Sequence, residues 1–321
     1  MLADTAEKIK SMEVRGAGRI AREAVKALHD HAISVQAETV AEFRERMEEA
    51  ASLLISTRPT AVSLPNAVHS VMATLRRDYP SVGSARGEFQ RACDTFITGS
   101  LLAVKKIGEI GARHIRDGDV IMTHCNSEAA LACMLEAWRI GRDFSVFATE
   151  VRPRNQGLLT IRTLEEAGIP TNFIVDSAAR YFMNEVDLVI VGADAISVNG
   201  AVVNKIGTAQ IALAAHEART RVMVAAETYK FAPRTILGEF IRIEERDPSE
   251  VLPPDIAGQF RHVRVRNPAF DVTPAEYVDL IVTEAGAIPP QMAYIIIRDI
   301  LGWDIGDFMQ GVPVNGGEEK E

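Results

Sequence analysis

Cysteine is scarce: Cys93, Cys125 and Cys133 are an odd set of three in 321 residues, with no CxxC spacing. That argues against a disulfide framework or a zinc knuckle and fits a reducing compartment. Long apolar runs are missing too, since no stretch approaches the roughly 18 consecutive apolar residues of a membrane span. The N-terminal MLADTAEKIKSME carries charges where a signal peptide needs an apolar core. A cytoplasmic protein with no membrane partner is therefore expected. Positive charge is in deficit, with a formal net charge of -9 and no basic run interleaved with aromatics, which argues against nucleic acid as a partner. The seven histidines form no HExxH-like pair, and no acidic loop has calcium spacing, so neither a protein-bound metal nor a cofactor is expected.

What is present is an ordinary globular composition, 47% hydrophobic and 25% charged. It can bury a large core, and the length suggests about two domains. The first third reads as helices. Val40, Phe43, Met47, Ala50 and Leu54 recur in steps of three and four, and Thr39 with Glu42 predicts a capping box at the start. A second series through Phe89, Cys93, Phe96, Ser100, Val104, Ile107 and Gly111 has the same spacing and places Cys93 on a buried stripe.

From about Asp117 short β-branched runs alternate with helical patterns: VIMTHC, FSVFATE, NFIVD, DLVIVGA, RVMVAA and DLIVTE. This spacing predicts a mostly parallel sheet with crossover helices. The chain therefore divides into a helical N-terminal domain, residues 1–115, and an α/β catalytic domain, residues 116–321. No internal repeat is visible, and only the tail NGGEEKE reads as frayed.

Ligands of open α/β sheets bind beyond the carboxyl ends of the strands. The first strand ends at Cys125, and Ser127 then opens an amphipathic helix. Cys125 is either a small buried hydrophobe or a thiol that the positive end of the helix helps to ionise. Cys133, on the apolar face of that helix, reads as core. The fourth strand finishes at Asp194, a turn residue or a functional acid, and Asn204 and Lys205 stand before a later helix. Gly16, Gly18 and Ala21 have the spacing of a dinucleotide fingerprint, but helical residues rather than a strand precede them, so a nicotinamide site is rejected. Such a turn still offers exposed N–H groups to a phosphate, with Arg15 beside it, or else it is a plain linker between helices. Arg58, Arg152 and Lys230 lie in loop segments, where most such charges are merely solvated.

Taken in order, VRGAGRIA, TRPTAVSLPNA, GDVIMTHCNSEAAL, ATEVRPRNQG, VDSAARYFM, GADAISVNGAVVNKIGTAQIAL, AAETYKF, NPAFDVTP and VTEAGAIPP span Met12 to Pro290. Together they resemble the superfamily that joins methylthioribose-1-phosphate isomerases, archaeal ribose 1,5-bisphosphate isomerases and the regulatory subunits of the initiation-factor 2B exchange factor. The resemblance implies a helical N-terminal domain followed by a Rossmann-like domain. It implies Cys125 as proton acceptor and Asp194 as proton donor. It also implies substrate contacts from Arg15, Gly16, Ala17, Gly18, Arg58, Ser127, Glu128, Ala129, Asn204, Lys205 and Lys230. Glu128 stands where some relatives carry lysine, so Ser127 and the backbone there are the firmer expectation.

Possession of both Cys125 and Asp194 resembles the enzymes rather than the regulatory subunits. RGAGRIA where methylthioribose-1-phosphate isomerases read RGAPAIG, together with the AETYKF segment, resembles the bisphosphate branch. The implied activity is aldose–ketose isomerisation of ribose 1,5-bisphosphate to ribulose 1,5-bisphosphate. The implied partners are a small sugar bisphosphate and further copies of the chain as a homo-oligomer. A methylthioribose-1-phosphate isomerase and a non-catalytic regulatory subunit are the alternatives. The mechanism expected needs the Cys125 thiol lowered toward neutral pH by its helix, and an Asp194 kept protonated by an apolar setting.

Overall fold

The computed structural model describes residues 2–14, 16–58 and 61–302. Arg15 and the tail expected to fray lie outside the described residues. Amphipathic periodicity becomes helix throughout the N-terminal part: α1 (Leu2–Lys10), α2 (Ala17–Ser34), α3 (Val40–Ser56), α4 (Ser63–Met72) and α5 (Val82–Gly111). Their apolar stripes, with Leu28, Phe43, Met47, Leu54, Phe89 and Cys93 fully buried, close one core. At the start of α3 the Thr39 hydroxyl accepts the Glu42 amide at 3.1 Å. The reciprocal half of the expected capping box is displaced by one residue, because the Glu42 carboxylate accepts from the Glu38 amide at 2.8 Å instead. The C-terminal end of α5 leaves that core: Ile107 packs with Ile115, Ile121 and Cys133 in a second cluster under the sheet.

The second part runs β1 (Val120–His124), α6 (Glu128–Arg139), β2 (Ser145–Thr149), α7 (Gly157–Glu166), β3 (Thr171–Ile174), α8 (Ala179–Phe182), β4 (Leu188–Gly192), β5 (Ala195–Ile196), β6 (Val202–Lys205), α9 (Thr208–Ala218), β7 (Arg221–Ala225), β8 (Phe270–Thr273), β9 (Leu280–Thr283) and β10 (Gly286–Ile288). Every apolar run read as a strand is one, and these six, joined by the unforeseen β10, form a seven-stranded sheet in the order β10-β9-β7-β4-β1-β2-β3. All its pairings are parallel except that of β10 with β9. A separate antiparallel sheet, β5-β6-β8, has no counterpart in the sequence reading. Its strands are short, and β6 reads as the approach to a helix.

The strand order reverses direction between β1 and β4, and crevices at such a reversal are where open α/β sheets hold ligands. β1 and β4 are direct neighbours, with His124 beside Val191, so Cys125 and Asp194 leave the sheet from adjacent strands. Gly192 permits this closeness. A Cβ there would lie 2.3 Å from the Ser127 Oγ and 2.6 Å from its Cβ, driving the end of β4 into the start of α6. Gly192→Ala is expected to lower the unfolding free energy by about 1–3 kcal/mol through overpacking. Urea denaturation checks this, and a wild-type midpoint would contradict the contact. Among the described residues no helix is long and apolar enough to cross a membrane.

Candidate active site

A cavity of about 330 Å³ opens at the carboxyl ends of β1 and β4. Gly16, Ala17, Gly18, Arg58, Cys125, Ser127, Glu128, Ala129, Asp194, Asn204, Lys205 and Lys230 all line it. Arg15 lies outside the described residues, and Arg152 is an exposed residue away from the cavity wall.

Two helix N-termini face this space. Gly16 is the N-cap of α2, at φ 89°, and Ala17 and Gly18 form the first turn. Gly18 is bare because a Cβ there would lie 2.9 Å from Glu227 Oε1 and 3.0 Å from the Tyr229 hydroxyl. Ser127 caps α6 and accepts the Ala130 amide at 3.3 Å. The first-turn N–H groups of both helices have no acceptor within their own helix, so the two ends offer donors and partial positive charge to anions. The third nearby helix does not: the Asp271 carboxylate accepts the Gly207 and Ala209 amides at 2.7 and 3.1 Å, using the donors of α9.

Cys125 is held in the left-handed region at φ 69°, an unusual conformation for a residue with a Cβ. The Thr160 hydroxyl donates to its carbonyl at 3.0 Å, and its thiol donates to Gln156 Oε1 at 3.7 Å. The expected lowering of this thiol is overturned. Burial pushes it up to about 11, against the pull of the Lys205 ammonium. Desolvation dominates over the helix end, since α6 starts only at Glu128, three residues after the thiol. Asp194 is half-buried and its charge opposes ionisation of the same thiol. Among the described residues its carboxylate accepts no hydrogen bond. Lys205 is buried with its ammonium 4.7 Å from the centre of the Phe270 ring. Burial lowers its pKa, while Cys125 and Asp194 work to raise it.

The other side chains come with partners. Lys230 and Glu227, 6% and 1% exposed, pair at 2.7 Å. Burial works to raise the Glu227 carboxyl, but Lys230 and its hydrogen bonds win and keep it low. From Glu227 a chain runs through the Tyr229 hydroxyl at 3.0 Å to Ser100 at 3.1 Å, then to Arg22 at 3.2 Å and Glu128 at 2.9 Å. Arg22 thus pairs with the Glu128 carboxylate, which would otherwise repel a phosphate at this end of the cavity. Arg58 donates to Glu244 at 2.9 Å.

A model described as the initiation factor 2 subunit family matches residues 13–290. The chain belongs to that family. It is 53% identical to the ribose 1,5-bisphosphate isomerase of Methanocaldococcus jannaschii, covering 94% of this chain and 96% of the relative. It is 55% identical to the protein of that name from Archaeoglobus fulgidus, over 94% and 93%. Its fold superposes on the crystal structure of a Pyrococcus horikoshii translation initiation factor eIF-2B with a TM-score of 0.75 at 32% identity, over 90% and 97% of the two chains.

Around this cavity, sequence reasoning missed Gln156, Glu227, Arg242 and Arg246, which also line it. Gln156 was within reach, since it stands in the ATEVRPRNQG segment just after β2. Arg246 carried no signal, because residues around it have no periodicity to place them. His124, at the end of β1, is a structural residue: its Nδ1 accepts from the Thr149 hydroxyl at 2.6 Å and its Nε2 donates to the Ile206 carbonyl at 2.8 Å. Burial keeps its pKa low, so the neutral ring that this pattern needs is the favoured form.

Proposed function

We infer that this chain is a sugar-phosphate isomerase that converts ribose 1,5-bisphosphate to ribulose 1,5-bisphosphate, with Cys125 and Asp194 moving the protons. The observation that carries the reading is one cavity in which these two groups lie between two helix N-termini, with Lys205 beside the thiol. Two anion-binding ends with an acid–base pair between them suit a pentose phosphorylated at both ends. A thioether at one end would instead call for an apolar wall, and the lining here includes Arg58, Glu227 and Lys230.

The phosphate ester on C1 prevents ring opening by simple hemiacetal reversal, so departure of the ring oxygen needs an acid. Asp194 donates a proton to that oxygen as the Cys125 thiolate removes the C2 proton. The C1–O bond breaks and an enol forms between C1 and C2. Cys125 then returns a proton to C1, and the C2 hydroxyl gives its proton to Asp194 as the ketone forms. No proton is gained or lost overall. The α2 and α6 amides, with Arg58, Asn204, Lys205 and Lys230, hold the phosphates and hydroxyls. A direct C2-to-C1 hydride shift uses the same pair as polarisers. Deuterium at C2 separates the routes: it is retained at C1 in a hydride shift and washes out to solvent through the enol.

Incubation of the protein with ribose 1,5-bisphosphate, followed by NMR for the ketose, tests the reading. Ribulose 1,5-bisphosphate is the expected product, and a higher kcat/KM on methylthioribose 1-phosphate, or no turnover of either, would sink it. We further propose a cytoplasmic homo-oligomer, which sedimentation of the purified chain would check.

A further inference from the structure

Among the described residues Arg246 has only a long ion pair and Lys205 has none. The Arg246 side chain is 11% exposed, its nearest carboxylate oxygen on Glu244 is 3.6 Å away, and its buried Nε makes no hydrogen bond among the described residues. The other Glu244 oxygen is taken by Arg58 at 2.9 Å. Lys205 rests on an aromatic face and has no carboxylate within ion-pair distance among the described residues. Both cations line the cavity. Each acts on the other, since the Arg246 charge lowers Lys205, and both pull the Cys125 thiol down. Like charges buried side by side are costly unless an anion joins them.

The position of Arg246 is fixed by the fold. Its amide donates to the Asn267 carbonyl at 2.9 Å, and Glu245 bridges to Pro268 just before β8. Arg154 binds Glu250 on the outer side, and the Asn267 amide reaches Glu250 at 3.3 Å. From a backbone held in this way, the Arg246 guanidinium offers a planar fork suited to two oxygens of one phosphate.

Resting on the isomerase reading, we propose that Arg246 binds a phosphate of the substrate together with Lys205, and that Glu244 occupies the place of that phosphate in the free protein. The incoming dianion outcompetes one carboxylate because it offers more oxygens and more charge to Arg58, Arg246 and Lys205 at once.

Inorganic phosphate tests the site without catalysis. Arg246→Gln is expected to weaken phosphate binding in calorimetry, and to raise KM for ribose 1,5-bisphosphate, by about 10- to 100-fold each, with kcat changed far less. Arg246→Lys keeps the charge but loses the fork, and should fall between the two proteins. Glu244→Gln removes the competing carboxylate and should tighten phosphate binding. Unchanged phosphate affinity in Arg246→Gln overturns the proposal, as does weaker binding in Glu244→Gln; should Arg246→Gln fail to fold, Arg246→Lys and Glu244→Gln decide. If the wild-type protein binds phosphate through Arg246 but leaves ribose 1,5-bisphosphate unchanged, the isomerase reading fails and the anion site stands.

Discussion

Cys125→Ser is expected to lower kcat by about 10²- to 10⁴-fold, the usual contribution of one general base, with no loss of fold. A serine hydroxyl fits the volume of the thiol and can still face Gln156, so packing is kept. It cannot form an anion near neutral pH, however, and removal of the C2 proton loses its acceptor. Single-turnover kinetics on a variant whose unfolding midpoint matches wild type measures the effect. Near-normal turnover would remove Cys125 from the chemistry.

Asp194→Asn should cost a similar factor, because an amide cannot supply the proton that the departing ring oxygen needs. The side chains are isosteric and the carboxylate has no hydrogen bond to break among the described residues, so stability should hold. The pH dependence is more telling than the loss itself. The proposed chemistry passes to Asp194 the proton of a sulfur that burial pushes up to about 11. The reactive arrangement, thiolate with carboxylic acid, has the same proton count, so pH does not alter the ratio of the two forms. Wild-type kcat/KM should therefore stay level through neutral pH and decline where Lys205 loses its charge, which burial places below the usual lysine range.

In Asp194→Asn the thiolate must form by losing its proton to solvent. Residual kcat/KM should then climb by about tenfold per pH unit toward the thiol's own value. That value itself should fall somewhat, since the Asp194 charge no longer opposes ionisation. A level profile in both proteins would show that the two groups do not share a proton.

The pattern of apolar residues, read alone, identified the helical character of the first part, α3 and α5 by their spacing, and six of the seven strands of the large sheet, missing the three-residue β10. Periodicity suffices there because burial of one face selects helix or strand with little help from distant residues. Cys93 and Cys133 were legible as core for the same reason, as both sit on apolar stripes. The small sheet escaped notice because a two-residue β5 and a four-residue β6 are too short for alternation to register. Arg242, Arg246 and Gln156 enter the cavity wall from loops, which follow tertiary contacts rather than local preference.

Charge state was beyond the sequence altogether. Proximity to a helix start suggested an easily ionised Cys125, yet the surrounding side chains and neighbouring strands remove water from the sulfur, and that loss of solvation dominates. The order of residues along the chain settled which segments are helix, which are strand, and which polar groups end the strands. Only the tertiary structure decided that Cys125 and Asp194 leave adjacent strands, that Arg22 neutralises Glu128, and that Lys205 and Arg246 face one space. Secondary structure follows from neighbours in sequence, whereas electrostatics depends on distance and desolvation, which folding alone sets.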